Sequence, residues 1–455
     1  MSGRGRLPEW ERDDARPRAV LVGVDRGSGE WPLEESLEEL RRLAETAGLD
    51  VSGTTTQRLD KVNPRTFIGS GKAKEIAELA ARVDAATVVF DDDLTPRQQA
   101  NLETMIPDTR IVDRTALILE IFALHAVSRE GKLQVELAQL EYLLPRLRGM
   151  WGHLERERLG GGRGARFGAG ESQLETDRRL ARKRISVLKK ELRHVASARQ
   201  TQRKARAESG VFRVALIGYT NAGKSSLLNC LTGADVLAYD MLFATLDSTT
   251  RKVNLPDGRE MTLTDTVGFI NKLPHGLVEA FKSTLDEVVQ ADLLLHVVDA
   301  SHPQAVPQMA AVDRVLGEVG ATGIPTLLVF NKADLIGPED RARIAMRHQD
   351  AVVVSAQSGE GTPALMERIA LEATRDSATL TLMVPFARGD LVRLLHDRAH
   401  VVSEHHTAEG TLLVARVSPN LAQRFADFVV SEADTRARSD LAEQGNHFAE
   451  DRHVT

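Results

Sequence analysis

The sequence predicts an α/β chain in four parts: a small parallel α/β domain, a long antiparallel helical hairpin, a larger α/β domain and a small α+β domain. Three observations predict it. Short apolar runs alternate with helically spaced leucines in two separate stretches. Between these stretches, leucines recur at i, i+4, i+7 and i+11 among charged residues. A glycine-containing loop ending in Gly-Lys-Ser follows the first strand of the second stretch.

With 455 residues the chain has room for two to four domains. Hydrophobic residues at 42% and charged residues at 27% exclude wholesale disorder and supply several cores. The net charge of −6 marks no nucleic-acid binder globally. The single cysteine, Cys230, excludes an intramolecular disulfide framework and a cysteine-built zinc site. The polar N-terminus and the absence of 18 consecutive apolar residues predict a cytoplasmic protein without a membrane span.

Residues 1–17 are charged and read as a loose tail. The first α/β domain is expected over 18–127. Its predicted strands are Val20–Val24, Thr87–Phe90 and Arg110–Val112, with helices over Leu33–Ala47 and Leu117–Ala126. The hairpin is expected over 128–209. Leu133, Leu137, Leu140 and Leu144 form one stripe; Ile185, Leu188, Leu192 and Val195 form the other. Between the two, Gly149 to Gln173 is too rich in Gly and Arg for a helix interior and is expected as a tip loop. From His153 to Ser209 about 16 Lys/Arg stand against about 7 Asp/Glu. That basic segment inside an acidic protein points to RNA phosphate, with a solvated helix face as its plain alternative.

The second α/β domain is expected over 210–374, with strands at Phe212–Ile217, Thr262–Thr264, Leu293–Val298, Thr326–Phe330 and Val352–Val354. The α+β domain follows over 375–432. It has alternating Leu380, Leu382 and Val384, a helix at Gly389–His396, strands at Val401–Ser403 and Leu412–Val417, and a helix at Leu421–Val430. Residues 433–455 are polar and read as a disordered tail.

The loop Gly218-Tyr219-Thr220-Asn221-Ala222-Gly223-Lys224-Ser225 lies between an apolar strand and a helical run, the setting a phosphate cradle needs. Its amides can face phosphate oxygens, Lys224 can reach the β- and γ-phosphates, and Ser225 can ligate Mg²⁺. About 40 residues later, Asp265-Thr266-Val267-Gly268 ends a strand. There Asp265 can hold a metal-bound water and the Gly268 amide can meet a γ-phosphate. Asn331-Lys332-Ala333-Asp334 ends another strand. A carboxylate at 334 can accept from both guanine N1–H and the 2-amino group, a donor pair adenine lacks. Ser355-Ala356-Gln357, after the next strand, is placed to aim an amide at guanine O6. The four elements fall in order at strand C-termini, where open α/β sheets bind ligands, and predict a Mg²⁺-dependent P-loop GTPase domain. A threonine must complete the metal shell; Thr245, Thr249 and Thr250 compete on spacing.

On these residues the chain resembles the HflX family of ribosome-associated GTPases. The resemblance rests also on Phe67–Lys72, Val112–Thr115, Glu136–Leu140 and Gly170–Arg179. It implies that the switch segment is Phe243-Ala244-Thr245-Leu246-Asp247 and that Thr245 is the metal ligand. It implies that the N-terminal domain and hairpin bind the 50S subunit, the tip loop near its rRNA, and that the protein acts in ribosome splitting, rescue or biogenesis. Ser248 stands where the family usually has Pro, which loosens the switch loop, and Gln357 departs from the commoner residue there. In related GTPases the P-loop asparagine, here Asn221, holds a potassium ion.

Phe269 follows Gly268 where many GTPases carry a water-orienting Gln, so unassisted hydrolysis is expected to be slow. Lys224, Thr245 and Gly268 are the residues expected to act on the reacting phosphate. Gly69-Ser70-Gly71-Lys72 lacks the spacer of a P-loop and reads as a structural or RNA-facing turn. Cys230 and His296 read as core residues, and His405-His406 as opposite faces of one strand. A monomer is expected. The rival reading is a GTP-gated protein-binding switch whose hairpin grips a protein instead of RNA.

Overall fold

The computed structural model describes residues 16–27, 31–148, 169–208, 211–233, 241–272, 282–375, 377–417 and 419–430. The expected tails and the tip loop over 149–168 therefore lie outside the described residues, apart from Arg16 and Pro17.

The N-terminal sheet is parallel with order β2-β1-β3-β4. Strand β1 (Arg18–Asp25) buries Ala19 to Val24, as a central strand covered on both faces must. Strands β3 (Thr87–Phe90) and β4 (Arg110–Asp113) continue the sheet. Strand β2 (Asp50–Arg58) was not expected from the sequence. It is a polar, threonine-rich edge strand whose pairing to β1, rather than any apolar run, defines it. Helix α1 (Leu33–Thr46) covers one face; α2 (Ser70–Val83) and α3 (Pro96–Met105) cover the other. Thr95 and Gln98 form a capping box at the start of α3. Gly69 caps α2, and Lys72 reaches Thr55 Oγ1 at 3.0 Å and Glu75 Oε1 at 2.7 Å, a local structural role.

Helix α4 (Arg114–His125) is apolar nearly all round and sits inside the assembly. Helix α5 (Arg129–Leu143) and the 40-residue α6 (Ala169–Glu208) form the hairpin. Leu133, Leu137 and Leu188 form its seam, with Leu140, Ile185 and Leu192 alongside; Leu144 and Val195 of the expected stripes lie outside this cluster. Arg184 clasps Glu136 at 2.6 and 2.7 Å across the pair. The loop expected to reach Gln173 stops earlier, because α6 already begins at Ala169. The opposite face of α5, with Val135 and Ala138, joins the main core.

The second sheet has order β10-β9-β8-β5-β7-β6. Strands β5 (Phe212–Gly218), β7 (Glu260–Asp265), β8 (Leu293–Asp299), β9 (Thr326–Asn331) and β10 (Val352–Val353) are parallel. The sixth, β6 (Thr249–Asn254), pairs antiparallel with β7 at the edge. The expected strand over 352–354 is two residues long, and β6, which begins at Thr249, was not expected from the sequence. Its polar sequence hides an edge strand for the same reason as β2. Helix α7 (Lys224–Thr232) follows the P-loop. Cys230 on it is half-buried rather than a core residue, since Leu227 and Leu228 take the inward face.

The last domain is an antiparallel sheet, β11 (Ala378–Val384), β13 (Thr411–Val417) and β12 (His400–His406) in spatial order, under a helix over Gly389–Arg398. The helix expected over 421–430 is instead an α-turn at Pro419–Ala422 running into a 3₁₀ segment, Gln423–Phe428, that buries Phe425. Arg398 reaches Glu260 at 3.5 Å, which rests this domain against the β6–β7 hairpin. Among the described residues no helix is long and apolar enough to cross a membrane.

One apolar cluster runs from Leu40 and Phe122 through Phe243 and Leu246 to Leu294 and Val312. The N-terminal domain, the α4–α5 elbow and the face of the second sheet carrying the P-loop thus share a core.

Candidate functional site

Three loops at the C-terminal ends of β5, β7 and β9 build the site, with the segment before β6 closing it. Two P-loop glycines are forced by close approach. A Cβ on Gly218 would lie 2.2 Å from the Val297 carbonyl oxygen, and one on Gly223, at φ +88°, 2.2 Å from Asn331 Nδ2. That amide donates to the Ala222 carbonyl at 2.9 Å, so Asn331 ties the β9 loop to the P-loop as expected.

Lys224 is buried, and its ammonium donates to the carbonyls of Gly218 at 3.2 Å and Tyr219 at 2.9 Å. Burial pushes its pKa down to about 8, with Asp265 opposing the shift. Below pH 8 the free protein carries this charge; above it the proton is lost until an anion restores it. Guanine-nucleotide affinity should therefore be flat below pH 8 and fall up to tenfold per pH unit above it. A Lys224→Arg variant, whose charge persists, should lack that fall; titration calorimetry above pH 8, in buffers of different ionisation heat, would show proton uptake approaching one by the wild type and none by the variant.

Ser225, Thr245 and Asp265 converge. Ser225 Oγ donates to Asp265 Oδ2 at 2.6 Å, and Thr245 Oγ1 lies 2.8 Å from Ser225 Oγ and 3.0 Å from Asp265 Oδ2. Among the described residues Asp265 Oδ1 is buried without a hydrogen-bond partner, and burial raises the pKa of this carboxyl. A tight group of hard oxygens with one unsatisfied carboxylate oxygen fits Mg²⁺. Of the rival threonines, Thr250 is engaged with Thr264 Oγ1 at 3.0 Å on β6, and Thr249 begins that strand.

Beyond Asp265 the chain crosses the P-loop. Thr266 Oγ1 donates to the Leu216 carbonyl at 2.6 Å, and Val267 is buried. A Cβ on Gly268 would lie 2.9 Å from Thr220 Cα and 3.0 Å from Lys224 Nζ. The Thr220 amide donates to the Phe269 carbonyl at 2.7 Å, and the Phe269 ring is in the core. No side chain at 269 faces the phosphate cradle.

At the expected guanine end, Lys332 sits at φ +64° with its ammonium 2.6 Å from Asp299 Oδ2. Ser355 Oγ donates to Asp334 Oδ1 at 2.5 Å. The Ala333 amide is engaged with the Val354 carbonyl at 3.0 Å. Of the segment expected to aim an amide at guanine O6, the Ala356 amide donates to Asn331 Oδ1 at 3.0 Å, and Gln357 is exposed.

The segment Phe243–Asp247 divides. Phe243, Ala244 and Thr245 line the phosphate cleft. Leu246 is buried in the shared core, and the Asp247 carboxylate turns away to the elbow before α5, accepting from the amides of Val127 at 2.9 Å and Ser128 at 2.7 Å. The expectation that these two residues contact nucleotide is corrected. An apolar side chain follows the core, and an acid follows the free amides at a helix start.

A buried polar network went unread in the sequence. Tyr219 OH donates to Glu39 Oε2 at 2.7 Å and accepts from the Asn271 amide at 2.6 Å, while its ring stacks on Trp31. Arg114 bridges Glu39 at 2.6 Å and Asp91 at 2.7 Å, and Lys272 reaches Asp91 at 2.5 Å. Burial raises the Glu39 pKa against the pull of Arg114. Burial also works against Asp91, but Arg114 and Lys272 outweigh it and hold that carboxyl below its ordinary value. Only the Val112–Thr115 signature hinted that Arg114 had a special place. His296 is a buried core residue, its pKa pushed down to about 4 by burial.

Comparison with known proteins agrees with this architecture. Family models described as GTP-binding GTPase N-terminal, GTP-binding GTPase Middle Region and 50S ribosome-binding GTPase match residues 34–123, 125–206 and 213–332. The GTPase HflX of Caldanaerobacter subterraneus subsp. tengcongensis is 43% identical over 93% of this chain and 96% of its own. That of Magnetococcus marinus is 45% identical over 93% and 97%. That of Escherichia coli K12 is 43% identical over 89% and 94%. A phosphate cradle, a cluster of hard oxygens and a guanine-type loop on one sheet edge, together with 43–45% identity over about nine-tenths of the chain, make this protein a GTP-hydrolysing enzyme that belongs to the HflX family of GTPases.

Proposed function

We propose that this GTPase is a Mg²⁺-dependent switch that docks on the large ribosomal subunit through its N-terminal domain and basic hairpin. The convergence of Ser225, Thr245 and Asp265 carries the switch reading, because Thr245 belongs to a segment separate from the P-loop and can close on the metal only when that segment is in place. Bound Mg²⁺ would neutralise the developing charge on the phosphates. Ser225 and Thr245 would hold it directly and Asp265 through water. Lys224 would grip the β- and γ-phosphates, the Gly268 amide the γ-phosphate, and Asn331, Lys332 and Asp334 the guanine. Because Phe269 is buried and apolar, no side chain at that position orients the attacking water. Turnover therefore depends on a partner that rearranges the switches.

The ribosome reading rests on the description of the matching family, 50S ribosome-binding GTPase, and on the basic hairpin. Sedimentation with 50S subunits at increasing salt tests it. Phosphate contacts predict a steep loss of binding between 50 and 200 mM salt, on the order of 10³-fold for six contacts. A flat salt dependence would favour a protein-gripping hairpin. GTP hydrolysis should rise with 50S subunits, and equal rates with and without them would remove the partner-dependent switch. Conversion of 70S ribosomes to subunits by a non-hydrolysable GTP analogue would assign splitting as the role. Potassium beside Asn221 belongs to the same reading; equal hydrolysis rates in sodium and potassium buffers would exclude it.

A further inference from the structure

The elbow between α4 and α5 is bonded directly to the switch segment. Asp247, two residues after Thr245, accepts three hydrogen bonds there: from the Val127 amide at 2.9 Å, the Ser128 amide at 2.7 Å and the Ser128 hydroxyl. Ser128 is the N-cap of α5, its Oγ also accepting from the Gly131 amide at 2.8 Å. A carboxylate in this place meets amides that the helix itself leaves free and the positive end of the helix dipole. At the other end of the segment, the Phe243 ring packs edge-on against Phe122 of α4, centroids 4.7 Å apart.

Thr245 thus hangs between two attachments to one elbow while its hydroxyl faces Ser225 and Asp265. Two residues of extended chain span only about 7 Å. A shift of the elbow cannot be absorbed between Asp247 and Thr245 without moving one of them.

Gly131 gives the contact an independent signature. Gly131 lies in the first turn of α5, where glycine is a poorer helix former than alanine, and it has no left-handed φ to justify it. What it supplies is room. A Cβ there would lie 2.5 Å from Asp247 Oδ1 and 3.1 Å from Ser128 Oγ.

We propose that Asp247 and Ser128 are positioning residues for Thr245, through which the orientation of hairpin helix α5 sets whether the switch segment can complete the metal shell. The inference rests on the proposed role of Thr245 but needs no ribosome.

Full-length variants Gly131→Ala, Asp247→Ala, Thr245→Ala and the double variant Gly131→Ala/Asp247→Ala test it. The readout is equilibrium binding of fluorescent GDP and of a fluorescent non-hydrolysable GTP analogue, with and without Mg²⁺. Thr245 should matter only when a γ-phosphate and metal are both present. Gly131→Ala and Asp247→Ala should therefore each weaken Mg²⁺-dependent analogue binding about tenfold and leave GDP binding within twofold, as Thr245→Ala should. The double variant should be no worse than Asp247→Ala, because removing the carboxylate removes the clash. Losses that multiply in the double variant, or single variants that bind the analogue like wild type, would overturn the positioning role. A parallel loss of GDP binding would reduce it to general damage. If Thr245→Ala itself kept full analogue binding, the metal assignment would fail and the positioning role with it; if only that variant lost binding, the coupling alone would fall.

Discussion

Replacing Asp334 by asparagine is expected to weaken GTP binding by about 100- to 1000-fold and to strengthen binding of xanthosine triphosphate. In the proposed reading the carboxylate at 334 would offer two acceptors to the guanine N1–H and 2-amino donors. Hydrogen bonds to a charged group contribute about 1.5–3 kcal/mol each. Asparagine keeps one acceptor but places an NH₂ donor against the 2-amino group, so one bond is weakened and the other becomes a donor–donor clash. The combined loss of about 3–4 kcal/mol corresponds to the fold-change stated, at 1.4 kcal/mol per factor of ten. Xanthine has a carbonyl where guanine has the amine, and the same asparagine pairs with it in both directions. Competitive titration of Asp334→Asn with the two triphosphates is the check. Comparable GTP binding by variant and wild type would remove Asp334 from the guanine reading. Ser355 already donates to Asp334 Oδ1, so the side chain is oriented before a base arrives.

Arg114→Met is expected to destabilise the protein by about 3–5 kcal/mol, the typical cost of breaking a buried ion pair by removing one partner. Arg114 is 1% exposed and serves Glu39 and Asp91 at once. Without it, Lys272 and Ser36 still reach Asp91, but among the described residues Glu39 keeps only the Tyr219 hydroxyl as a side-chain donor. Burial already raises the Glu39 pKa, and losing the cation raises it further. An acid whose folded pKa exceeds its unfolded value of about 4.5 binds its proton more tightly in the folded state, so its penalty is present at neutral pH and shrinks as pH falls through the folded pKa. The deficit of Arg114→Met should therefore be largest near pH 7 and narrow on acidification. Urea unfolding followed through Trp31, which stacks on Tyr219, would report it. Adding Glu39→Gln should recover part of the loss by removing the uncompensated charge. A deficit unchanged from pH 7 to pH 5 would show that lost packing, not the buried carboxylate, carries the effect.

The parts of the site that were legible in the sequence are those whose chemistry is local. Gly218 to Ser225 specify a cradle because eight consecutive residues set both the curl and the cation. Asn331 is legible because its place at the end of an apolar strand sets its tie to the P-loop. Central strands such as β1 and β8 announce themselves by burial on both faces. The edge strands β2 and β6 do not, since polar residues facing solvent carry no period that distinguishes them from a loop. Thr245, Thr249 and Thr250 could not be separated by spacing, because they differ in what they face and not in what they are.

By itself the sequence determined which loops stand at strand C-terminal ends with the residue types that phosphate and guanine call for, and the amphipathic pairing of the hairpin. Each is written in contiguous or regularly spaced residues. The order of those loops across the sheet, with the loop after β9 on one side of the P-loop and Asp265 on the other, came from the tertiary structure. Only the tertiary structure decided that Tyr219 meets Glu39, 180 residues away, and that Asp247 meets Ser128, 119 residues away. A buried polar group must find a partner, but its own neighbourhood in the chain does not say which; that is settled by whatever donor the packed domains bring within reach.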